Sequence, residues 1–135
     1  MKLRKLFLAV ALSALAAAAA RQIPAAGMPT LTGAYSDMHS VPGTGDVFGT
    51  EILIVEGTDA GSTGLWAVVQ LADGRPGKPL VAKVEQQGAD VRFAIPDGSG
   101  GTMTFTGTVT ASSLAGHFDR DGGKLDLRRG RSFWR

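Results

Sequence analysis

The chain has 135 residues, no cysteine, and 14 Lys plus Arg against 12 Asp plus Glu. That length supports one hydrophobic core with little room for a second, and the lack of cysteine excludes disulfides and thiolate metal sites. Three of the cations, Lys2, Arg4 and Lys5, stand at the extreme N-terminus, so a chain that lost this end would be near neutral. Without a persistent positive face, nucleic acid is not an expected partner.

Residues 1–20 read as a secretory signal: a basic start, an apolar run from Leu6 to Ala20, and small residues at its end. The run is shorter than the roughly 20 residues a helix needs to cross a bilayer, so it suits a cleavable signal better than a span. Ala18-Ala19-Ala20 offers the cleavage site, with Ala25-Ala26-Gly27 as a later candidate, so cleavage falls between residue 20 and residue 27. No cysteine follows to carry a lipid. The product is expected in the periplasm or outside the cell, and not as an integral membrane protein. Residues 21–30, with Pro24 and Pro29, read as a tether before a single domain over 31–135.

From Leu31 onward, apolar stretches alternate with clusters of Gly, Pro, Asp and Ser, and no 3.6-residue period persists, which predicts an all-β domain. The first strand is expected at Leu31–Ser36, followed by a glycine-rich loop over Asp37–Gly49. Thr50–Glu56 holds Ile52, Leu53, Ile54 and Val55 in succession, as in a strand covered on both faces. Leu65–Ala72 is similar, and Trp66 within it is assigned to core packing. Asp73-Gly74-Arg75-Pro76-Gly77 has the residues of a reversal. Leu80–Glu85 and Asp90–Ile95 form a hairpin around Gln86–Ala89.

Threonine then takes every even position from Thr102 to Thr110, while Met103, Phe105, Gly107 and Val109 take the odd ones. A period of two puts the odd set on the core and the threonines toward solvent. Ser113–Phe118 repeats the pattern with Leu114, Gly116 and Phe118 inward. After the turn Asp119–Gly123, Lys124–Arg128 is the last strand, and Arg131–Arg135 extends it. The basic residues Lys124, Arg128, Arg129, Arg131 and Arg135 read as a solubilising edge. Eight short strands joined by tight turns make an antiparallel meander closed, or nearly closed, into a barrel, with a two-sheet β-sandwich as the alternative.

Three segments carry a resemblance: Leu31-Thr32-Gly33-Ala34-Tyr35, Phe105-Thr106-Gly107-Thr108-Val109, and Leu114-Ala115-Gly116-His117-Phe118. They resemble calycin-type barrels such as lipocalins and avidins, although Ala34 and Tyr35 stand where lipocalins usually carry a tryptophan. The chain also resembles small exported bacterial proteins without an assigned activity, which end in a basic stretch running into Ser-aromatic-Trp, here Arg131-Ser132-Phe133-Trp134. The resemblance implies a barrel and transfers no ligand residues.

Two histidines each lie two residues from an aspartate, Asp37 with His39 and His117 with Asp119, a spacing that puts each pair on one face of an extended strand. Brought together they would make a metal or acid-base set, the basis of an alternative reading as a small metal-dependent enzyme. The Asp119–Gly123 loop lacks the ligand series and closing glutamate of a calcium loop, and no serine sits in a nucleophile elbow. No catalytic residue, metal ligand or cofactor is therefore assigned. The favoured expectation is a non-enzymatic binding or interaction module of the bacterial envelope, meeting a small molecule or an envelope component. Its ligand residues would be Tyr35, His39, Asp46 and Trp134, lining a barrel mouth.

Overall fold

The computed structural model describes residues 27–120 and 122–134. The expected signal peptide, its cleavage point before residue 27, most of the tether, Asp121 and Arg135 lie outside the described residues. Among the described residues nine strands form one antiparallel sheet: β1 (Gly33–Ser36), β2 (His39–Ser40), β3 (Val47–Asp59), β4 (Ser62–Pro76), β5 (Leu80–Gln87), β6 (Asp90–Pro96), β7 (Thr102–Val109), β8 (Ser113–Phe118) and β9 (Lys124–Gly130). Among the described residues there is no helix.

The chain runs as a meander from β3 to β9, and β1 closes it by pairing with β9 on one side and β3 on the other. The result is an eight-stranded closed barrel with β2 as an extra strand on β3, an architecture compatible with a calycin-type barrel. Closure limits the unpaired edges, although β5 and β6 are bonded only from Glu85↔Arg92 to Gln87↔Asp90, and so narrows the commonest route to β-sheet aggregation. The sandwich alternative is not what forms.

The alternation in the sequence is realised as burial. Phe105, Gly107 and Val109 are buried while Thr102, Thr106 and Thr108 are exposed. Leu114 and Phe118 point inward and His117 outward. Phe105 stacks on Phe93 at 5.1 Å and meets Phe118 edge-on at 5.2 Å, so three aromatic rings fill the middle of the barrel. Around them lie Ile52, Ile54, Val69, Ile95, Leu114 and Leu127, each fully buried. Each aromatic pair adds about 0.5–1.5 kcal/mol beyond its burial. The interior is a packed core.

β3 and β4 are longer than their apolar stretches suggest. Thirteen registered pairs join them, from Val47↔Gly74 to Asp59↔Ser62, so this hairpin overshoots the barrel at both ends. The glycine-rich loop expected at Asp37–Gly49 accordingly contains β2 and the start of β3. The reversal expected at Asp73–Gly77 is displaced as well: Asp73 and Gly74 pair with Phe48 and Val47, and the chain turns at Gly77–Pro79. Here the pairing partner overrides the turn composition, because β3 extends far enough to hold these residues extended.

Both β1 and β2 pair with β3, so the chain must cross between them at Asp37 and Met38. Gly49 makes this possible. It has φ +114°, and a Cβ there would lie 2.7 Å from Asp37 Oδ1 and 2.9 Å from Met38 Cα.

Two strand faces depart from expectation. Trp66 lies on the outer face of β4, half-buried, because Ala67 and Val69 take the core positions. The last strand ends at Gly130, and the segment beyond it leaves the sheet to cross the outside of the barrel. There Ser132 Oγ donates to Glu51 Oε1 at 2.6 Å and Phe133 N donates to Glu51 Oε2 at 2.7 Å. Glu51, only 6% exposed, is the fixed point of this strap.

Candidate functional site

The register separates the barrel's two ends. One end carries the start of β1 and the turns after β3, β5 and β7; the other carries residues 37–46, 77–79 and 97–101 and the turn after β8. The four residues expected to line one mouth are therefore divided. His39 and Asp46 stand together at the second end, on β2 and in the loop after it, both exposed. Trp134 lies on the strap, outside the barrel, 46% exposed. Tyr35 is fully buried in the core.

The Tyr35 hydroxyl donates to Leu31 O at 2.7 Å and accepts from Arg129 Nη2 at 2.6 Å. Arg129 is in phase with Leu125 and Leu127, so it points into the barrel rather than along a solubilising edge. Its guanidinium sits 5.2 Å from the Tyr35 ring centroid and also donates to the carbonyls of Thr30 and Thr32. Leu31 caps the same end, 6% exposed. The Tyr35 hydroxyl and Arg129 Nη2 find partners here while the buried Arg129 Nε has none, and together these groups make a plug.

Neither histidine–aspartate pair forms a couple. Asp37 Oδ1 accepts from Thr50 N at 2.6 Å, while His39 Nδ1 faces Asp37 O at 3.1 Å instead of the carboxylate. Asp119 plays the same part at β7, with Oδ1 accepting from Thr104 N at 2.9 Å. His117 is exposed on the outer face of β8, in register with Thr106 and Lys124. Both carboxylates are thus used to hold the end of a neighbouring strand. Among the described residues no three His, Asp or Glu side chains gather in a way that could hold a metal.

A third aspartate has no sequence spacing that marks it. Asp97 opens the β6–β7 turn, and its side chain is 2% exposed. Its Oδ1 accepts from Ser99 N at 2.8 Å, Ser99 Oγ at 2.8 Å and Gly101 N at 3.1 Å, and Oδ2 lies 2.6 Å from Arg120 Nη1. The Ser99 amide and hydroxyl, with help from Gly101 N and Arg120, hold this carboxyl below the ordinary value of 3.8 against the opposing effect of burial. Because the folded-state value is depressed, the stability it contributes is complete above 3.8 and is lost as the pH falls through the folded value. The stability advantage of the wild type over Asp97→Asn should hold from neutral pH down to about 3.8, shrink as the pH falls further, and be gone below the folded value. Melting curves from pH 2 to pH 7 check this, and a constant difference across the series would contradict it.

Beside this turn is a shallow apolar depression of about 330 Å³, lined by Leu71, Leu80, Pro96 and Met103 with Lys78 at its rim. It lies where the β5–β6 ladder has stopped, since those strands are bonded only from Glu85↔Arg92 to Gln87↔Asp90. A larger open depression, about 480 Å³, lies around Glu85, Asp90, Arg92 and Thr106. A smaller one of about 240 Å³ adjoins Thr30, Glu56 and Gln86. All three are surface features outside the packed interior. Comparison with protein-family models, curated proteins and solved structures gives no match to the chain.

Proposed function

We propose that this chain is an exported, non-enzymatic interaction module of the bacterial envelope, periplasmic or secreted, that meets its ligand or partner on the outside of the barrel. The observation that carries this reading is where the side chains are committed. Tyr35, Phe93, Phe105 and Phe118 occupy the interior that a small molecule would need, and each is at most 3% exposed. The carboxylates of Asp37 and Asp119, which a metal or an acid-base couple would need, accept backbone N–H groups instead. What remains for recognition is the surface. Export rests on the three-part order of residues 1–20.

The experiment is native mass spectrometry, with metal analysis, of protein recovered from the periplasm of a producing cell. The expected result is a bare polypeptide whose mass corresponds to cleavage between Ala20 and Gly27. A stoichiometric metal ion or a retained organic molecule would overturn the non-enzymatic reading, and an uncleaved chain found in the cytoplasm would overturn the exported one.

A further inference from the structure

Most of the barrel's outer face is polar, with a threonine row on β7 and charged residues on β6 and β9. The outer face of β1, β3, β4 and β5 differs. The register aligns Ala34, Leu53, Val68 and Val81 in one row across these four strands. Val55 and Trp66 stand in the next row, followed by Lys83. Val81 is 64% exposed, and Leu53, Val55, Trp66 and Val68 are half-buried. The strap adds Trp134, packed edge-on against Phe133 at 4.8 Å. A contiguous apolar patch on an otherwise polar surface marks a contact site.

Cations outnumber acids around the patch, although Glu85 follows Lys83 on the same face of β5 and Asp126 precedes Arg128 on β9. Lys83 borders it on β5, Arg128 and Arg131 border it from β9 and the strap, and none of the three has a carboxylate within 4.0 Å among the described residues. Two of the adjoining acids are already engaged: Glu51 is buried under the strap, and Glu85 pairs with Arg92 at 3.4 Å. A second copy docking through this face by a two-fold axis would bring two cationic rims together, which is unfavourable. An anionic lipid surface is complementary to both parts, since tryptophan and valine settle at the headgroup boundary while Lys and Arg reach phosphates.

We infer that the outer face of β3–β5, with the C-terminal strap, docks on an anionic phospholipid surface. This rests on the envelope reading above and narrows it to one component. Protein recovered from the periplasm would be sedimented with vesicles of phosphatidylcholine alone or mixed with phosphatidylglycerol, in parallel with Val81→Asp and the double variant Lys83→Glu/Arg128→Glu. All three proteins share one N-terminus, so a difference between them reports on the face, and equal circular dichroism shows that they fold. The wild type should pellet with the phosphatidylglycerol vesicles, with a blue shift in tryptophan emission, and less so in high salt. Val81→Asp should weaken binding about tenfold, and the double variant should lose the dependence on phosphatidylglycerol. Failure of the wild type to pellet, or equal binding by Val81→Asp, would overturn the inference. If sedimentation equilibrium shows instead a dimer that Val81→Asp dissociates, the occupant is a second copy; the lipid inference then fails while the interaction-module reading stands.

Discussion

Replacing Gly116 by alanine should lower the melting temperature by roughly 10–20 °C, corresponding to about 2–4 kcal/mol of stability. Gly116 and Gly107 face one another across β7 and β8, and both point inward. The Phe105 ring lies over the gap that their missing side chains leave. A Cβ on Gly116 would press against the carbonyl oxygen of Thr106 and lie 2.6 Å from Phe105 Cζ and 2.7 Å from Gly107 Cα. The ring could swing aside, but two of these three neighbours are backbone. Relief therefore requires the β7–β8 ladder to open, with Phe105 pulled from its stack on Phe93. Gly64→Ala is the matched control, because a Cβ there meets only Lys83 Cε at 3.7 Å, an ordinary contact, and should leave stability within about 0.5 kcal/mol of wild type. Thermal and urea melts of the two variants decide the matter. Equal stability of Gly116→Ala and wild type would mean that the Phe105 ring does not occupy this gap.

The same segment shows what the sequence makes legible. From Thr102 to Val109 polar and apolar residues alternate strictly, so phase, face and strand type follow from a single period of two. β4 lacks this clarity because both of its faces are apolar, and the eye is drawn to Trp66 as the largest side chain. Yet Gln70 shares the phase of Trp66 and Val68, and a polar residue in that set marks the outer face. Arg129 could have been placed by the same logic, since it follows Leu125 and Leu127 at intervals of two. Its charge groups it with the neighbouring cations, which conceals its direction. The projecting ends of the β3–β4 hairpin and the strap were beyond local pattern. Asp73-Gly74 carries turn chemistry, and only pairing with Val47 and Phe48 makes it strand. Ser132 leaves the sheet because of a carboxylate 81 residues earlier. The histidine pairs failed for a related reason: spacing places two side chains on one face but is silent about which backbone amides compete for the carboxylates.

Arg129→Met should destabilise the protein by about 2–4 kcal/mol, more than Tyr35→Phe at about 1–2 kcal/mol. Methionine keeps most of the apolar stem, so the comparison isolates the guanidinium. That group closes one end of the barrel through a single nitrogen, the two hydrogens of Nη2 being shared among Thr30 O, Thr32 O and the Tyr35 hydroxyl. Its loss takes a charged donor from all three acceptors at once, together with the cation over the Tyr35 ring. Tyr35→Phe removes only the hydroxyl, leaving Leu31 O without its donor and Arg129 with its two carbonyls. Because the two residues share one network, the double variant should cost clearly less than the two single costs added. Hydrogen exchange supplies a spatial check: in Arg129→Met the amides from Leu31 to Tyr35 should lose protection more than those of β7 and β8, because the plug opens while the aromatic core holds. If Arg129→Met melts with wild-type stability, or if protection falls uniformly through the barrel, Arg129 is not what fastens the N-terminal segment to it.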